Sequence, residues 1–287
     1  MQLLSKKAAM IFILPGLILI FIFLIFPALW TFFLSLTNYS LLDNSLEFVG
    51  LKNFFKLFRD QRFWHSTIVT FQFVIGSALF GQTALGLLLA VMLHKKRGIM
   101  KELLTNFAVA SWIIPSVVVV YLWAAFLDKE YGLLNQLLGF IGVTPRDWLN
   151  KFPMWVIIIW NIWRGSAFSM MLFTSALQTI PPSYLETADV IGASRWNKFR
   201  DILLPSLKNY IGTDLILITL WTFNLFTPYL LTKGGPGNAT EIFPIYTYHE
   251  AFKYMQFGYG SAISVVILLI NLGFALFYLR SMKGGKQ

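Results

Sequence analysis

The chain has 287 residues, of which 57% are hydrophobic and 13% charged, with a net charge of +10 and no cysteine. A soluble domain carries about 25% charged residues, so this composition excludes one and points to a polytopic membrane protein. The missing cysteines exclude disulfides and thiol chemistry, and the basic excess is assigned to membrane orientation rather than to nucleic acid.

Apolar runs at about 8–35, 67–94, 106–127, 154–180, 210–232 and 259–281 each reach the roughly 20 residues that cross a bilayer. The first follows Lys6-Lys7. It is too long for a signal-peptide core and no small-x-small cleavage site follows, so it is read as a retained span. Between the first and second runs, the aromatics of Phe48–Trp64 alternate with Lys52, Lys56 and Arg59, the pattern of a short helix at the outer interface. His65, His94 and His249 lie far apart, without metal-ligand spacing.

An even number of spans puts both termini on one side. The loops on that side hold 13 Lys and Arg and 4 acidic residues, against 9 and 8 on the other. The densest cluster, Lys95-Lys96-Arg97, is on the first side, which the positive-inside rule makes cytoplasmic. Both termini and the 181–209 loop are therefore expected in the cytosol. Arg164 falls within a span, and Asp214 is read as solvated near the cytosolic end of its own.

In the 181–209 loop, Pro181-Pro182 ends the fourth span. Ser183 is expected to cap a new helix, with Glu186 three residues later. Leu185, Ala188, Val190 and Ile191 give that helix an apolar side, and Gly192 permits a break. A second segment, Ser194–Phe199, sets Trp196 and Phe199 among Arg195, Lys198 and Arg200, and Pro205 opens the fifth span. Two small amphipathic helices with a glycine hinge suit either a groove on a partner or packing on lipid or on the bundle itself.

Polar groups inside spans are costly, about 2.5–3.5 kcal/mol for a central Arg, and so favour a cavity or another subunit. Asn161, Arg164 and Phe168 share one face of the fourth span, beside Gly165. Trp221 and Asn224 share a face of the fifth, and Phe168 is expected to meet them. Aromatic faces with amide and guanidinium donors suit a hydroxyl-rich sugar. Gln82 and Asn271 are read as bonds between helices. Gly234-Gly235-Pro236 predicts a tight turn outside the fifth span. The sequence has no phosphate-binding G-x-x-x-x-G-K-[ST] loop, catalytic triad or paired carboxylates, and no clear mid-membrane carboxylate of the kind an ion-coupled transporter carries.

Glu186-x-Ala188-x-x-x-Gly192-Ala193, followed by Ile202-x-Leu204-Pro205, resembles the EAA motif of ABC importer permeases. Thr187 and Ile191 depart from it, standing where Ala and Asp are usual. Leu231-Thr232-Lys233-Gly234-Gly235-Pro236, with Tyr246-x-Tyr248 and Ala251-Phe252, resembles the outer loop of the carbohydrate-type group of maltose and glycerol-phosphate permeases. Phe48-x-Gly50-x-x-Asn53-Phe54 and Phe63-Trp64 add to that likeness, which covers about residues 10–280.

The resemblance implies an all-α membrane protein with six transmembrane helices in a type I ABC importer permease fold, forming one permease domain over 1–287. It implies a multi-pass subunit of a bacterial or archaeal cytoplasmic membrane that imports a sugar by alternating access. Glu186, Ala188, Gly192, Ala193, Trp196 and Pro205 would couple to the ATPase. Asn161, Arg164, Gly165, Phe168, Trp221 and Asn224 would line the sugar site, and Gly234, Gly235 and Pro236 would meet a solute-binding protein. Trp221 stands where the maltose-type pocket has a smaller polar residue, so a different sugar is expected. The implied partners are a homologous second permease in a heterodimer and two ATPase subunits, which would bind ATP and Mg; no cofactor, metal or catalytic residue is expected on this chain. The competing reading is a secondary, ion-coupled transporter.

Overall fold

The computed structural model describes residues 6–42, 45–94, 96 and 98–283. Lys95 and Arg97 of the basic cluster lie outside them. Among the described residues the regular structure is helical apart from two isolated bridges, Thr37 with Phe48 and Ser40 with Ser45. In chain order the helices are α1 (6–35), α2 (Lys52–Arg59), α3 (Gln61–His94), α4 (Ile99–Ile113), α5 (Ser116–Phe126), α6 (Leu133–Gly139), α7 (Trp148–Lys151), α8 (Pro153–Gln178), α9 (Pro182–Val190), α10 (195–223), α11 (Tyr229–Thr232), α12 (243–253) and α13 (Phe257–Lys283). Long helices fit the sequence because spans must satisfy their backbone groups internally.

By length and apolarity four helices can cross a bilayer: Phe12–Ser35, Gln61–His94, Pro153–Gln178 and Phe257–Arg280. The third predicted run is not one straight helix. It divides into α4 and α5, which meet at 105°, and counting this broken pair as one span gives five. Pro115 causes the break: it lacks an N–H and forces Ile114 into an extended conformation, ψ 134°. The fifth run also differs. Its helix continues from the 181–209 loop through a wide turn at Phe199–Leu203 and passes Pro205 without a break. It ends at Phe223, so 224–228 are not helical. Lys208 and Asp214 make it less apolar than the others.

Two further expectations are corrected. Ser183 does not cap α9; Pro181 holds that position and Pro182 opens the helix without a side-chain cap, because a proline at the first helical position needs no N–H partner. Asp214 is not solvated: its relative exposure is 0%. It lies ten residues into the α-helical part of α10, and Thr83 Oγ1 of α3 donates to its Oδ2 at 3.1 Å. The fifth run therefore does carry a buried carboxylate.

The chain forms two compact units. The first comprises Met1–Trp64 and Tyr246–Ile270. Asn53 fixes the end of α1 here, its side-chain amide donating to the carbonyls of Ser35 and Thr37 at 2.9 and 2.7 Å. Asp60 accepts from the hydroxyls of Tyr246 and Tyr259 at 2.8 and 2.9 Å and from the N–H of Arg62. Burial pushes its carboxyl up, but these hydrogen bonds and the Arg62 charge outweigh burial and hold it below the usual carboxylate range. Arg62 also pairs with Glu250 at 2.8 Å.

The second unit comprises His65–Ile245 and Asn271–Gln287. One core cluster packs Phe73 of α3, Val119 and Val120 of α5, and Ile157 and Trp160 of α8 against Ile242 and Ile245. The other joins Ala90 and Leu93 of α3, Met170 and Phe173 of α8, and Leu203 and Leu207 of α10. Small residues let α3 and α8 approach. A Cβ on Gly86 would lie 2.9 Å from Met170 N and 3.0 Å from Ser166 O, so only glycine fits this crossing.

Candidate functional site

Five of the six residues expected at the sugar site come together. Asn161, Arg164, Gly165 and Phe168 of α8 line a pocket with Trp221 of α10, joined by Gln82, Trp112 and Thr222. The i, i+3, i+7 spacing on α8 presents three of them to one side, as the helical period requires. Asn161 is fixed there, its amide donating to Ser77 Oγ at 2.8 Å and to Thr222 Oγ1 at 3.4 Å. Phe168 meets Trp221 edge to face, centroids 4.8 Å apart, and approaches Trp112 at 6.0 Å.

The guanidinium of Arg164 stands 6.0 Å from the Trp160 ring, and its Nε is buried without a hydrogen-bond partner among the described residues. Gly165 leaves room for the Gln82 amide, which any Cβ at 165 would strike. Gln82, read as a bond between helices, is therefore also a pocket residue. The sixth expected residue, Asn224, does not line the pocket. It ends α10, donates to Leu220 O at 2.7 Å, and accepts from Asn271 at 3.1 Å, so Asn271 does bond two helices.

Trp112 is the pocket aromatic that the sequence reading does not assign to it. Trp112 lies just before Ile113-Ile114-Pro115, and the proline break was the signal in the sequence that the third run was interrupted there. The cavity measures about 60 Å³, far below the roughly 300–1,000 Å³ of a typical ligand site. Its lining includes no carboxylate and no nucleophile beside a base. Stacking and hydrogen bonding are the chemistry on offer.

The 181–209 loop has an anchored side and a bare side. Leu185 of α9 and Phe199 of α10 pack on the core cluster of α3, α8 and α10, and Ala188 is buried. Gly192 turns the chain with φ +74°, in the left-handed region that glycine enters at no steric cost. The N–H of Ala193 closes the turn on Ala188 O at 2.9 Å, and an ion pair of Lys198 with Asp189 ties the two arms together. Ser194 caps the second arm, accepting from Asn197 N at 3.1 Å. On the bare side, Val190 is 85% exposed, Ile191 76% and Trp196 64%, with Tyr184 and Glu186 also exposed. Pro205 lies apart from this tip, on the exposed surface of α10's first α-turn. Ile191, where the EAA motif usually has Asp, thus extends an apolar knob.

In the loop after α11, Lys233 and Gly234 both have positive φ and the Gly235–Pro236 peptide is cis. Thr232 and Thr240 join hydroxyls at 2.7 Å across the base of the turn. Gly234 is buried within it, Gly235 is half-buried, and Pro236-Gly237-Asn238 form the exposed tip.

A helical membrane protein with a polar and aromatic pocket among its helices, and a firmly anchored loop bearing a bare apolar tip, has the make-up of a transport subunit. The chain belongs to the family of binding-protein-dependent transport system inner membrane components, with a match over residues 82–282. It is 32% identical over 282 residues to the trehalose/maltose transport system permease protein of Thermococcus litoralis, covering 96% of this chain and 94% of that one. It is 30% identical over 289 residues to the sulfoquinovosyl glycerol transport system permease protein of Agrobacterium fabrum, covering 97% and 91%. Its fold is similar to a chain in the crystal structure of a bacterial ABC transporter that imports the acidic polysaccharide alginate, with a TM-score of 0.84 at 23% identity, covering 96% and 95%.

Proposed function

We propose that this chain is the translocating subunit of an ATP-driven importer that takes a sugar or oligosaccharide from an extracytoplasmic binding protein. The observation that carries this reading is the joining of Asn161, Arg164, Phe168 and Trp221 at one pocket, in a chain whose named relatives transport trehalose/maltose and sulfoquinovosyl glycerol. The chain pairs with a homologous permease that supplies the facing wall, and six membrane-crossing segments leave both termini in the cytosol. The bare face of Tyr184, Glu186, Val190, Ile191 and Trp196 docks on one of two ATPase subunits, which hold ATP and Mg. Their closure pulls the tip, and Leu185 and Phe199 pass the movement to α3, α8 and α10. The pocket then switches from inward- to outward-facing and accepts sugar from the binding protein at the 234–236 turn. The chain itself performs no catalysis.

Buried Asp214 is the feature an ion-coupled carrier would use, and the family match argues against that second reading. The test of the pocket is uptake by the reconstituted complex. Trp221→Ala and Phe168→Ala each remove a stacking face worth about 0.5–1.5 kcal/mol, so KM is expected to rise about two- to tenfold with assembly intact. Unchanged KM in both variants would remove the pocket from the transport path.

A further inference from the structure

A second cavity, of about 680 Å³, opens beside the root of the cytosolic loop. Val91 and Met92, on the last turn of α3, form an apolar wall with Leu203 of α10 as its floor. Lys96 and Arg195 stand at its rim, both exposed, and among the described residues neither forms an ion pair. Asp189, the one acidic residue of the lining, is already paired with Lys198. The cavity therefore combines an apolar wall, on a helix that crosses the membrane, with two uncompensated cations where that helix ends.

We propose that this cavity binds an anionic glycerophospholipid, with its phosphate on Lys96 and Arg195 and the start of an acyl chain on Val91 and Met92. The chemistry selects this occupant. A free sugar phosphate would leave the apolar wall bare, and a neutral lipid would leave both cations unmatched. Basic side chains at the membrane surface favour anionic headgroups, and the guanidinium suits the forked geometry of a phosphate. Leu185 and Phe199, which anchor the loop, also line the cavity, so a bound lipid would brace the loop root.

The test is native mass spectrometry of the full-length chain, with the subunits that co-purify, after adding dioleoyl-phosphatidylglycerol or dioleoyl-phosphatidylcholine. The intact protein is expected to retain phosphatidylglycerol at least tenfold better. Lys96→Gln and Arg195→Gln should each lower retention about fivefold, while Lys208→Gln, exposed and outside the lining, should not, and Arg195→Lys should restore part of the loss. Equal retention of the two lipids, or full retention by the Lys96→Gln/Arg195→Gln double variant, would overturn the proposal. Displacement of phosphatidylglycerol by millimolar inorganic phosphate would also overturn it and assign the cations to a soluble anion. No readout depends on sugar transport.

Discussion

Gly86→Ala tests the packing that holds α3 against α8. The added methyl would sit 2.9 Å from Met170 N and 3.0 Å from Ser166 O, and would also strike Ser169 Cβ. Ordinary contacts between heavy atoms lie near 3.5–4.0 Å, so the helices must part by at least about half an ångström. Two of these obstacles are backbone atoms, which cannot rotate away. Overpacking of this kind costs about 1–3 kcal/mol. At roughly 2–4 °C per kcal/mol for a protein of this size, the unfolding midpoint should fall by about 2–12 °C. Gly273→Ala is the matched control: Gly273 lies inside helical α13 with nothing within 4 Å of the new methyl. It should gain about 0.5–1 kcal/mol from helix propensity, and its midpoint should rise. Intrinsic tryptophan fluorescence of the detergent-solubilised protein during heating measures both. An unchanged or raised midpoint for Gly86→Ala would show that the close crossing does not hold the two helices together.

At the tip of the 181–209 loop, Gly192→Val forces a β-branched residue to φ +74°, a strain of at least about 1–2 kcal/mol; solute-stimulated ATP hydrolysis by the complex should be lost while membrane insertion persists, and Gly192→Asn should retain most of it. Full stimulated hydrolysis by the Val variant would exclude the coupling role. In the first unit, the lowered carboxyl of Asp60 contributes stability above its unfolded value near 4, lost as pH falls through the lower folded value. Unfolding midpoints between pH 3 and 7 should drop on the acid side for the wild type and flatten for Asp60→Asn. Parallel profiles for the two proteins would refute the linkage.

Much of the site was legible because it depends on local pattern. The spacing of Asn161, Arg164 and Phe168 fixes a shared helix face from covalent geometry, and Gly192 announced its own turn. Helix ends were harder. Ser183 has capping chemistry, yet Pro181-Pro182 sets the start of α9 by steric restriction alone. Pro205 was read as a boundary, but the wide turn at Phe199–Leu203 carries α10 past it. Asp214 shows the limit of one-dimensional reading: its burial depends on α3 crossing over it and presenting Thr83, which no pattern within 210–232 encodes. Trp112 and Gln82 reach the pocket for the same reason, through contacts across 50 or more residues.

The most direct measurement is sugar uptake into proteoliposomes holding the complete complex, with enclosed ATP and the cognate binding protein outside, in the presence and absence of ionophores that collapse H⁺ and Na⁺ gradients. Uptake is expected to require both ATP and the binding protein, to be insensitive to the ionophores, and to weaken with Trp221→Ala. Uptake by this chain without ATPase subunits, driven by an ion gradient and abolished by Asp214→Asn, would contradict the importer assignment and make the buried carboxylate its coupling site.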